Sequence, residues 1–281
     1  MALAQRETEE IEEANASGRP IVVFIHGLWL LASSWDRWRE LFAEAGYATI
    51  APSWPDDPDT VAAARADPGA FAGKTVGDVA IHMAEAIRKL TAKPAVVGHS
   101  FGGLLAQILA GRGFSRTTVA IDPAPFRGVR RLPKSSLKAA KPVLGNLGNY
   151  GGAVALTLEQ FRYGWANAVS ESEAERLYDQ FHVAAPGLPL FQAASANLNP
   201  FSQLSVDTKN PHRGPLLLIS GGADNTVPPV LTNTAFKYQS RNRGVTEIVE
   251  IPNRGHALTI DSGWREVADT ALAFTRRFVE P

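Results

Sequence analysis

The chain has 281 residues, in which 28 Lys and Arg balance 28 Asp and Glu, and it contains no cysteine. Disulfides, thiolate metal sites and a cysteine nucleophile are therefore excluded, and the balanced charge predicts no nucleic-acid partner, because contact with phosphates needs a concentrated positive surplus. No apolar run approaches the ~18 residues that span a bilayer and the glutamate-rich first residues differ from a signal peptide, so we expect a cytoplasmic protein without stable membrane insertion.

Strand and helix patterns alternate along the first 122 residues. Residues 4–16, rich in Glu and Ala, predict an exposed helix or a loose arm. The continuous apolar run Ile21–Ile25 is typical of a strand that is covered on both faces. Ser34 is the expected N-cap of a helix through Glu44, and another helix follows Asp78. The remaining elements predicted here are strands at residues 47–51, 94–97 and Thr117–Ile121, and a loop with room for one short helix at residues 52–73.

The alternation stops in residues 123–215, where helical patterns such as residues 170–181 are separated by Gly and Pro and no strand pattern is clear. Since ligands bind beyond the carboxyl ends of strands in open α/β sheets, we expect this segment to form a helical cap, or lid, over that edge. The last predicted elements are strands at residues 216–220 and Thr246–Ile251 and a helix at residues 264–278. The predicted organisation is a helix or arm at residues 1–19, an α/β core at residues 20–122 and 216–281, and the cap at residues 123–215.

A nucleophile elbow is predicted at Gly98-His99-Ser100-Phe101-Gly102, where an apolar strand turns abruptly into a helix. A serine hydroxyl is a poor nucleophile at neutral pH, so it has to be held clear of the sheet, beside a base and beside donors for the developing oxyanion. Gly98 and Gly102 suit this turn because the backbone passes close to its neighbours there. A G-x-S-x-G pattern alone occurs by chance, so its weight depends on the surrounding segments.

Two later residues complete a candidate catalytic triad with Ser100. Asp224 follows the strand at residues 216–220, and His256 lies in a Gly-flanked loop after Thr246–Ile251, from which it can reach the elbow. The histidine would act as general base, and the aspartate would fix its tautomer and stabilise the imidazolium.

The order serine, acid, histidine, together with the elbow and the upstream segment ending in His26-Gly27, resembles the α/β-hydrolase family from about residue 20 to residue 278. The resemblance implies a doubly wound, mostly parallel sheet. The stretch before Pro20 is too short and too charged for the two antiparallel strands that often open this family's sheet, so we expect them to be absent. Some family members place the acid after the preceding strand, which makes Asp122 a rival to Asp224. We prefer Asp224, because Asp122 followed by proline is typical of a strand-ending turn.

The expected oxyanion hole consists of the backbone N–H groups of Phe101 and Leu28. For the second donor, the N–H of a residue next to Leu28 stays an alternative, because the sequence does not fix the conformation of the loop after Gly27. His26 is expected to hold this loop rather than to act as a second base. The candidate residues of an apolar substrate pocket are Trp29, Leu30, Val227 and Leu258. The alternative is that these side chains only pack under the cap.

Two further motifs are set aside. Gly73-Lys74-Thr75 lacks the earlier glycine and the preceding strand of a phosphate loop. The basic run from Arg127 to Lys141 is expected to be a solvated face of the cap rather than an anion site.

These residues favour a serine hydrolase that cleaves a small to medium apolar carboxylic ester through an acyl-enzyme on Ser100. Acyl transfer, lactone opening, thioester cleavage and perhydrolysis use the same triad and stay open. A ligand-binding receptor or scaffold that keeps the fold without turnover is the alternative of another class. No cofactor and no metal are expected, the expected partner is a small ester-like molecule, and the oligomeric state is left open.

Overall fold

A computed structural model describes residues 3–281 and contains a central six-stranded sheet in which all neighbouring strands are parallel. The strands in chain order are β1 (Ile21–Ile25), β2 (Ala48–Ile50), β3 (Ala95–His99), β4 (Thr117–Ile121), β5 (Ala153–Val154), β6 (Ala185–Pro186), β7 (Leu216–Gly221) and β8 (Thr246–Ile251). The spatial order of the large sheet is β2-β1-β3-β4-β7-β8, and β5 and β6 form a separate antiparallel pair.

The helices connect these strands and cover both faces of the sheet. They are α1 (Gln5–Ala16), α2 (Asp36–Glu44), α3 (Val61–Ala66), α4 (Val76–Arg88), α5 (Phe101–Gly111), α6 (Lys134–Leu144), α7 (Leu158–Gly164), α8 (Glu171–Phe181), α9 (Leu188–Ser195), α10 (Pro229–Gln239) and α11 (Trp264–Arg276). No helix within residues 3–281 is both long and apolar enough to cross a bilayer.

Every residue of β1 is buried, because successive side chains of a strand point to opposite faces and both faces are covered. Val23 and Ile25 belong to a core with residues of α1, α4 and α5. Val22 and Phe24 belong to a second core with residues of α2 and α11. The predicted doubly wound sheet is thereby confirmed.

The predicted N-terminal helix forms as α1, but it is neither loose nor exposed along its length. Ile11 and Ala14 are buried in the core beside β1 and β2. The carboxylate of Glu7 is also buried and accepts hydrogen bonds from the Ser53 backbone N–H (3.0 Å) and the His82 ring (2.9 Å). The high Glu content of this segment concealed its apolar face.

Two predicted helix starts differ from the structure. Ser34 lies inside a 3₁₀ turn (Ala32–Trp35), where its hydroxyl donates to the Leu31 carbonyl at 2.7 Å, and α2 begins at Asp36. The next helix, α4, begins at Val76 rather than after Asp78. Thr75 is its N-cap and Asp78 closes a capping box with it, so Asp78 lies in the first turn of the helix and does not precede it.

The segment between β4 and β7 contains the helices α6 to α9, in agreement with its helical patterns. Ser170 is the N-cap of α8, since its hydroxyl oxygen accepts from the Glu173 N–H at 3.2 Å. The segment also contains the short antiparallel pair of β5 and β6, which the sequence did not predict because each strand has only two residues.

Candidate active site

The chain turns sharply at Ser100, between β3 and α5. Ser100 has a backbone φ of 57° and ψ of −122°, an uncommon conformation for a residue with a side chain. A Cβ atom on Gly98 would collide with the Gly102 carbonyl, and one on Gly102 would collide with the Ile25 carbonyl. The two glycines therefore allow the close packing that holds the serine in this strained turn.

Ser100, His256 and Asp224 form a continuous hydrogen-bonded chain. The His256 Nε2 atom lies 2.9 Å from the Ser100 hydroxyl, and His256 Nδ1 lies 2.6 Å from an Asp224 carboxylate oxygen. The other Asp224 oxygen accepts from the Thr226 N–H at 2.6 Å and the Val227 N–H at 2.9 Å. All three side chains are at most 4% exposed. The structure thus brings together three residues that are up to 156 positions apart in the chain.

The rival acid Asp122 lies close to the same histidine but has different partners. It follows β4, is fully buried, and accepts a hydrogen bond from the Gly221 N–H at 2.8 Å. Burial, followed by the nearby Asp224 carboxylate, raises the pKa of Asp122 well above its ordinary value. The raised pKa of Asp122, beside an Asp224 that contacts His256, supports the choice of Asp224 as the orienting acid.

His99 and Trp165 enclose the ring of His256. The centroids of these two rings lie 4.7 Å and 4.6 Å from that of His256. Burial, followed by the proximity of His256, lowers the pKa of His99 well below its ordinary value, so His99 adds no charge to the site. Trp165 was missed by the sequence analysis, because it lies in the segment between β4 and β7 and no local pattern links it to His256.

One buried group within residues 3–281 has the spacing of metal ligands. Potential ligand atoms of His99, Asp122 and His256 lie within 4.8 Å of one another. Both nitrogens of His256 already take part in the hydrogen bonds to Ser100 and Asp224. A metal ion bound to this histidine would break the triad geometry.

The loop after β1 passes directly beside Ser100. A Cβ on Gly27 would lie 2.8 Å from the Ser100 Cβ, so this loop and the elbow are in van der Waals contact. The N–H groups of Leu28 and Phe101 have no backbone acceptor among the described residues. Neither N–H group is thus engaged by the backbone, and their role as oxyanion donors stays a prediction.

Polar contacts hold that loop from behind. Burial lowers the pKa of His26 to about 4, and its neutral ring donates from Nδ1 to the Gly27 carbonyl at 2.9 Å. Asp57 lies 3.7 Å from His26 Nε2 and also forms a buried ion pair with Lys74. Lys74 therefore has a structural partner in the core, which agrees with setting aside its phosphate-loop motif.

An apolar cavity of about 270 Å³ opens at Ser100. Trp29 and Val227, two of the predicted pocket residues, line it. Within residues 3–281, Leu30 and Leu258 are not among the residues that line this cavity. The prediction that these two residues line the pocket is wrong. Leu30 points into the core next to β1, and Leu258 packs on the other face of the sheet with residues of α2 and α11. Further lining residues that the sequence did not predict include Leu132, Leu137, Leu156, Trp165 and Leu190.

A model of the alpha/beta hydrolase family matches residues 22–270. The chain belongs to this family. A comparison with curated protein sequences finds no significant match.

Solved structures share the fold of this α/β-hydrolase at low sequence identity. The monoacylglycerol lipase of Paleococcus ferrophilus aligns with a TM-score of 0.64 and 22% identity, over 92% of this chain and 95% of the lipase. A thermophilic esterase from Thermogutta terrifontis aligns with a TM-score of 0.64 and 17% identity, over 92% of this chain and 90% of the esterase. An extracellular alpha/beta-hydrolase from a Paenibacillus species aligns with a TM-score of 0.61 and 19% identity, over 93% of this chain and all of that one.

In this α/β-hydrolase, the segment between β4 and β7 is tied to the loop that carries Asp224. Asn225 donates to the Tyr163 carbonyl (3.0 Å), and Thr226 donates to the Gly164 carbonyl (2.7 Å). Asn167 donates in turn to the Ala223 carbonyl at 2.7 Å. These three bonds connect α7 and the turn after it to both sides of Asp224, so movement of α7 would disturb the loop that carries Asp224.

Proposed function

We propose that this α/β-hydrolase is a serine carboxylesterase that hydrolyses small to medium apolar esters through an acyl-enzyme on Ser100. The observation that carries the proposal is the hydrogen-bonded chain Ser100–His256–Asp224, which ends at an apolar cavity. A buried imidazole between a hydroxyl and a carboxylate is the arrangement that activates serine for acyl transfer.

In the first half-reaction, His256 Nε2 takes the hydroxyl proton as Ser100 Oγ attacks the ester carbonyl carbon. The tetrahedral intermediate then collapses, the bond to the alcohol oxygen breaks, and His256 returns the proton to the departing alcohol. In the second half-reaction, His256 takes a proton from water as the water oxygen attacks the acyl carbon. The bond between the acyl carbon and Ser100 Oγ then breaks, His256 returns the proton to Ser100 Oγ, and the carboxylic acid leaves. Asp224 accepts a hydrogen bond from His256 Nδ1–H throughout and stabilises the imidazolium.

The N–H groups of Leu28 and Phe101 stabilise the negative charge on the carbonyl oxygen, which exists only in the transition states and intermediates. The loss of one such donor in related chemistry lowers the rate ~100- to 1,000-fold. The contact between Gly27 and Ser100 supports the placement of Leu28 in this role.

The cavity supports an apolar substrate of limited size. Its volume of about 270 Å³ is close to the lower end of the range of ~300–1,000 Å³ for small-molecule sites. Most of the side chains that line the cavity are aromatic or aliphatic, among them Phe101, Val227 and Trp165, whose ring contacts His256. Residues 123–215 supply much of the remaining wall, which supports their proposed role as a cap.

Active-site labelling and turnover test this proposal. We expect an organophosphonate probe to label Ser100 in the wild type and to leave the Ser100→Ala variant unlabelled. Ser100→Ala and His256→Ala should each lower p-nitrophenyl ester hydrolysis by several orders of magnitude, and the double variant should be hardly worse, because triad members act as a unit. Ser172→Ala, a change at an exposed serine, is the matched control.

A folded wild-type protein that takes no label, or that releases product only once per chain, would reject the esterase proposal in favour of a ligand-binding role. Hydrolysis of a panel of esters, lactones and thioesters with graded acyl lengths then separates the reaction types. The proposal expects short and medium esters to be hydrolysed with the highest kcat/KM.

A further inference from the structure

Positive charge is concentrated in one segment of this electrically balanced chain. Residues 123–158 contain no Asp or Glu, and their basic residues are Arg127, Arg130, Arg131, Lys134, Lys138 and Lys141. All six are exposed. None of them forms an ion pair with any carboxylate in residues 3–281. Their charge is therefore available to an external partner.

Large apolar side chains are exposed in the same segment. Leu132 is 75% exposed, Leu137 is 50% exposed, Leu147 is 81% exposed and Tyr150 is 57% exposed. Solvent exposure of this many large apolar groups within 19 residues is unusual for a surface that only faces water. We call the exposed basic and apolar side chains between Arg130 and Tyr150 the mouth surface.

Helix α6 arranges part of the mouth surface as an amphipathic stripe. Lys134, Lys138 and Lys141 are spaced i, i+4, i+7, which places them along one side of the helix. Leu137 and Leu144 lie on the side that lines the apolar cavity. Basic groups thus run parallel to the apolar wall of the cavity.

The mouth surface lies at the entrance of the cavity that reaches Ser100. Arg131, Leu132 and Leu137 are both exposed and part of the cavity lining. The Tyr150 ring packs against Phe191 of α9 at a centroid distance of 5.4 Å, and α9 lines the cavity through Leu190. Apolar side chains therefore continue from the cavity wall to the protein surface.

We propose that the mouth surface docks this protein on an anionic phospholipid bilayer, so that apolar substrates enter the cavity from the lipid. Basic side chains are attracted to an anionic leaflet, and exposed leucines beside them insert between the headgroups, as amphipathic interfacial segments do. Charge complementarity selects this occupant, because a neutral apolar partner would leave the five basic residues of the mouth surface without a counter-charge. The docking does not depend on the proposed esterase chemistry, whereas the entry of substrate from the lipid rests on it.

Vesicle binding of the full-length Ser100→Ala chain tests the docking without hydrolysis. Co-sedimentation is measured with phosphatidylcholine vesicles and with vesicles containing about 30 mol % phosphatidylglycerol. We expect binding to the anionic vesicles only, and we expect it to weaken steeply as salt is raised from about 0.05 M to about 0.5 M.

Charge reversal locates the surface. The combined change Arg130→Glu, Lys134→Glu and Lys141→Glu should weaken binding to anionic vesicles roughly 100-fold or more, since each basic group near an anionic leaflet contributes about a fivefold factor. Lys138 is left unchanged because its ammonium group packs 4.0 Å from the centroid of the Tyr163 ring. The matched control is the triple change Lys89→Glu, Lys93→Glu and Arg112→Glu, which alters the charge by the same amount. These exposed positions lie near the amino ends of β3 and β4, at the edge of the sheet opposite to the carboxyl ends.

The apolar contribution has its own pair of variants. Leu147→Ser should weaken binding up to about tenfold, whereas Ile81→Ser, at a 52% exposed position on α4, should leave it unchanged. The same substitutions are also made in the wild-type chain, which keeps Ser100. The rate at which these variants hydrolyse a soluble p-nitrophenyl ester checks that their fold and catalytic site are intact.

Several results would overturn the docking proposal. These are no binding to anionic vesicles, equal binding to neutral vesicles, or equal weakening by the control triple. Binding to a soluble polyanion such as heparin but not to vesicles would assign the basic surface to a different partner. Vesicle binding by Ser100→Ala, together with a wild-type protein that hydrolyses none of the esters tested, would retain the docking and reject the proposed function.

Discussion

The assignment of the triad acid is tested by two substitutions that have the same chemistry but opposite expected results. In Asp224→Asn, one amide atom has to replace the carboxylate oxygen that lies 2.6 Å from His256 Nδ1. The oxygen of the new side chain can still accept from the N–H groups of Thr226 and Val227, which directs its NH₂ group toward the histidine. His256 would then carry its proton on Nε2, which faces Ser100 and could no longer accept the serine proton.

The magnitude follows from this change of tautomer. In a serine protease the equivalent substitution lowers kcat about 10⁴-fold, which corresponds to about 5 kcal/mol of transition-state stabilisation. We expect a loss of the same order here, because Asp224 and His256 are both buried and water cannot replace the missing acceptor.

Asp122→Asn should lower kcat less than about tenfold. Burial, followed by the nearby Asp224 carboxylate, raises the pKa of Asp122, which favours the neutral form that the Asn side chain resembles, and the amide oxygen can still accept from the Gly221 N–H. A pKa that is raised in the folded state means that this group contributes stability at low pH, and this stability is lost as the pH rises above about 4, the ordinary carboxyl pKa. The Asn variant should therefore lose less stability than the wild type as the pH is raised from about 4.

Steady-state hydrolysis of a p-nitrophenyl ester gives kcat for both variants, and denaturant unfolding at several pH values gives their stability. A severe loss of kcat in Asp122→Asn together with a mild loss in Asp224→Asn would refute the reasoning and move the acid to the end of β4. Equal losses in both would show that the two carboxyl groups act as one unit.

Three further predictions concern the loop, the cavity and the segment between β4 and β7. Gly27→Ala should lower kcat ~100-fold or more with little change in KM, because its Cβ would displace the loop from Ser100; unchanged kinetics would remove Leu28 from the oxyanion hole. Ala193→Phe should lower kcat/KM for a medium-chain ester at least tenfold relative to an acetate ester, since Ala193 lines the cavity; an unchanged ratio in a chain-length series would place the acyl group elsewhere. Burial lowers the pKa of His182 to about 4, and its Nε2 accepts from the Leu156 N–H. The stability that the neutral His182 contributes is present above about pH 6.5 and is lost as the pH falls toward 4. When the pH is lowered from about 7.5 to about 5, the free energy of unfolding should therefore fall by about 2 kcal/mol more in the wild type than in His182→Gln. Equal losses of the two proteins in a denaturant titration would contradict this.

Local patterns in the sequence were sufficient for the sheet, the elbow and the candidate triad. Buried parallel strands require continuous apolar runs, and the sharp turn at Ser100 requires glycine on both sides, so both features are visible within a few neighbouring residues. Because the carboxyl ends of parallel strands meet at one edge, the residues after β3, β7 and β8 had to lie near one another.

The tertiary structure alone decided which side chains meet across large separations in the chain. It brought the Asp224 carboxylate into a hydrogen bond with His256 and raised the pKa of the buried Asp122 beside them. It also docked α1 through a face that its glutamates concealed, and turned Leu30 and Leu258 away from the cavity. It also brought Trp165 against His256 and the mouth surface to the cavity entrance. These contacts depend on how helices and loops pack together, and residue spacing along one segment carries no information about the partner that a distant segment supplies.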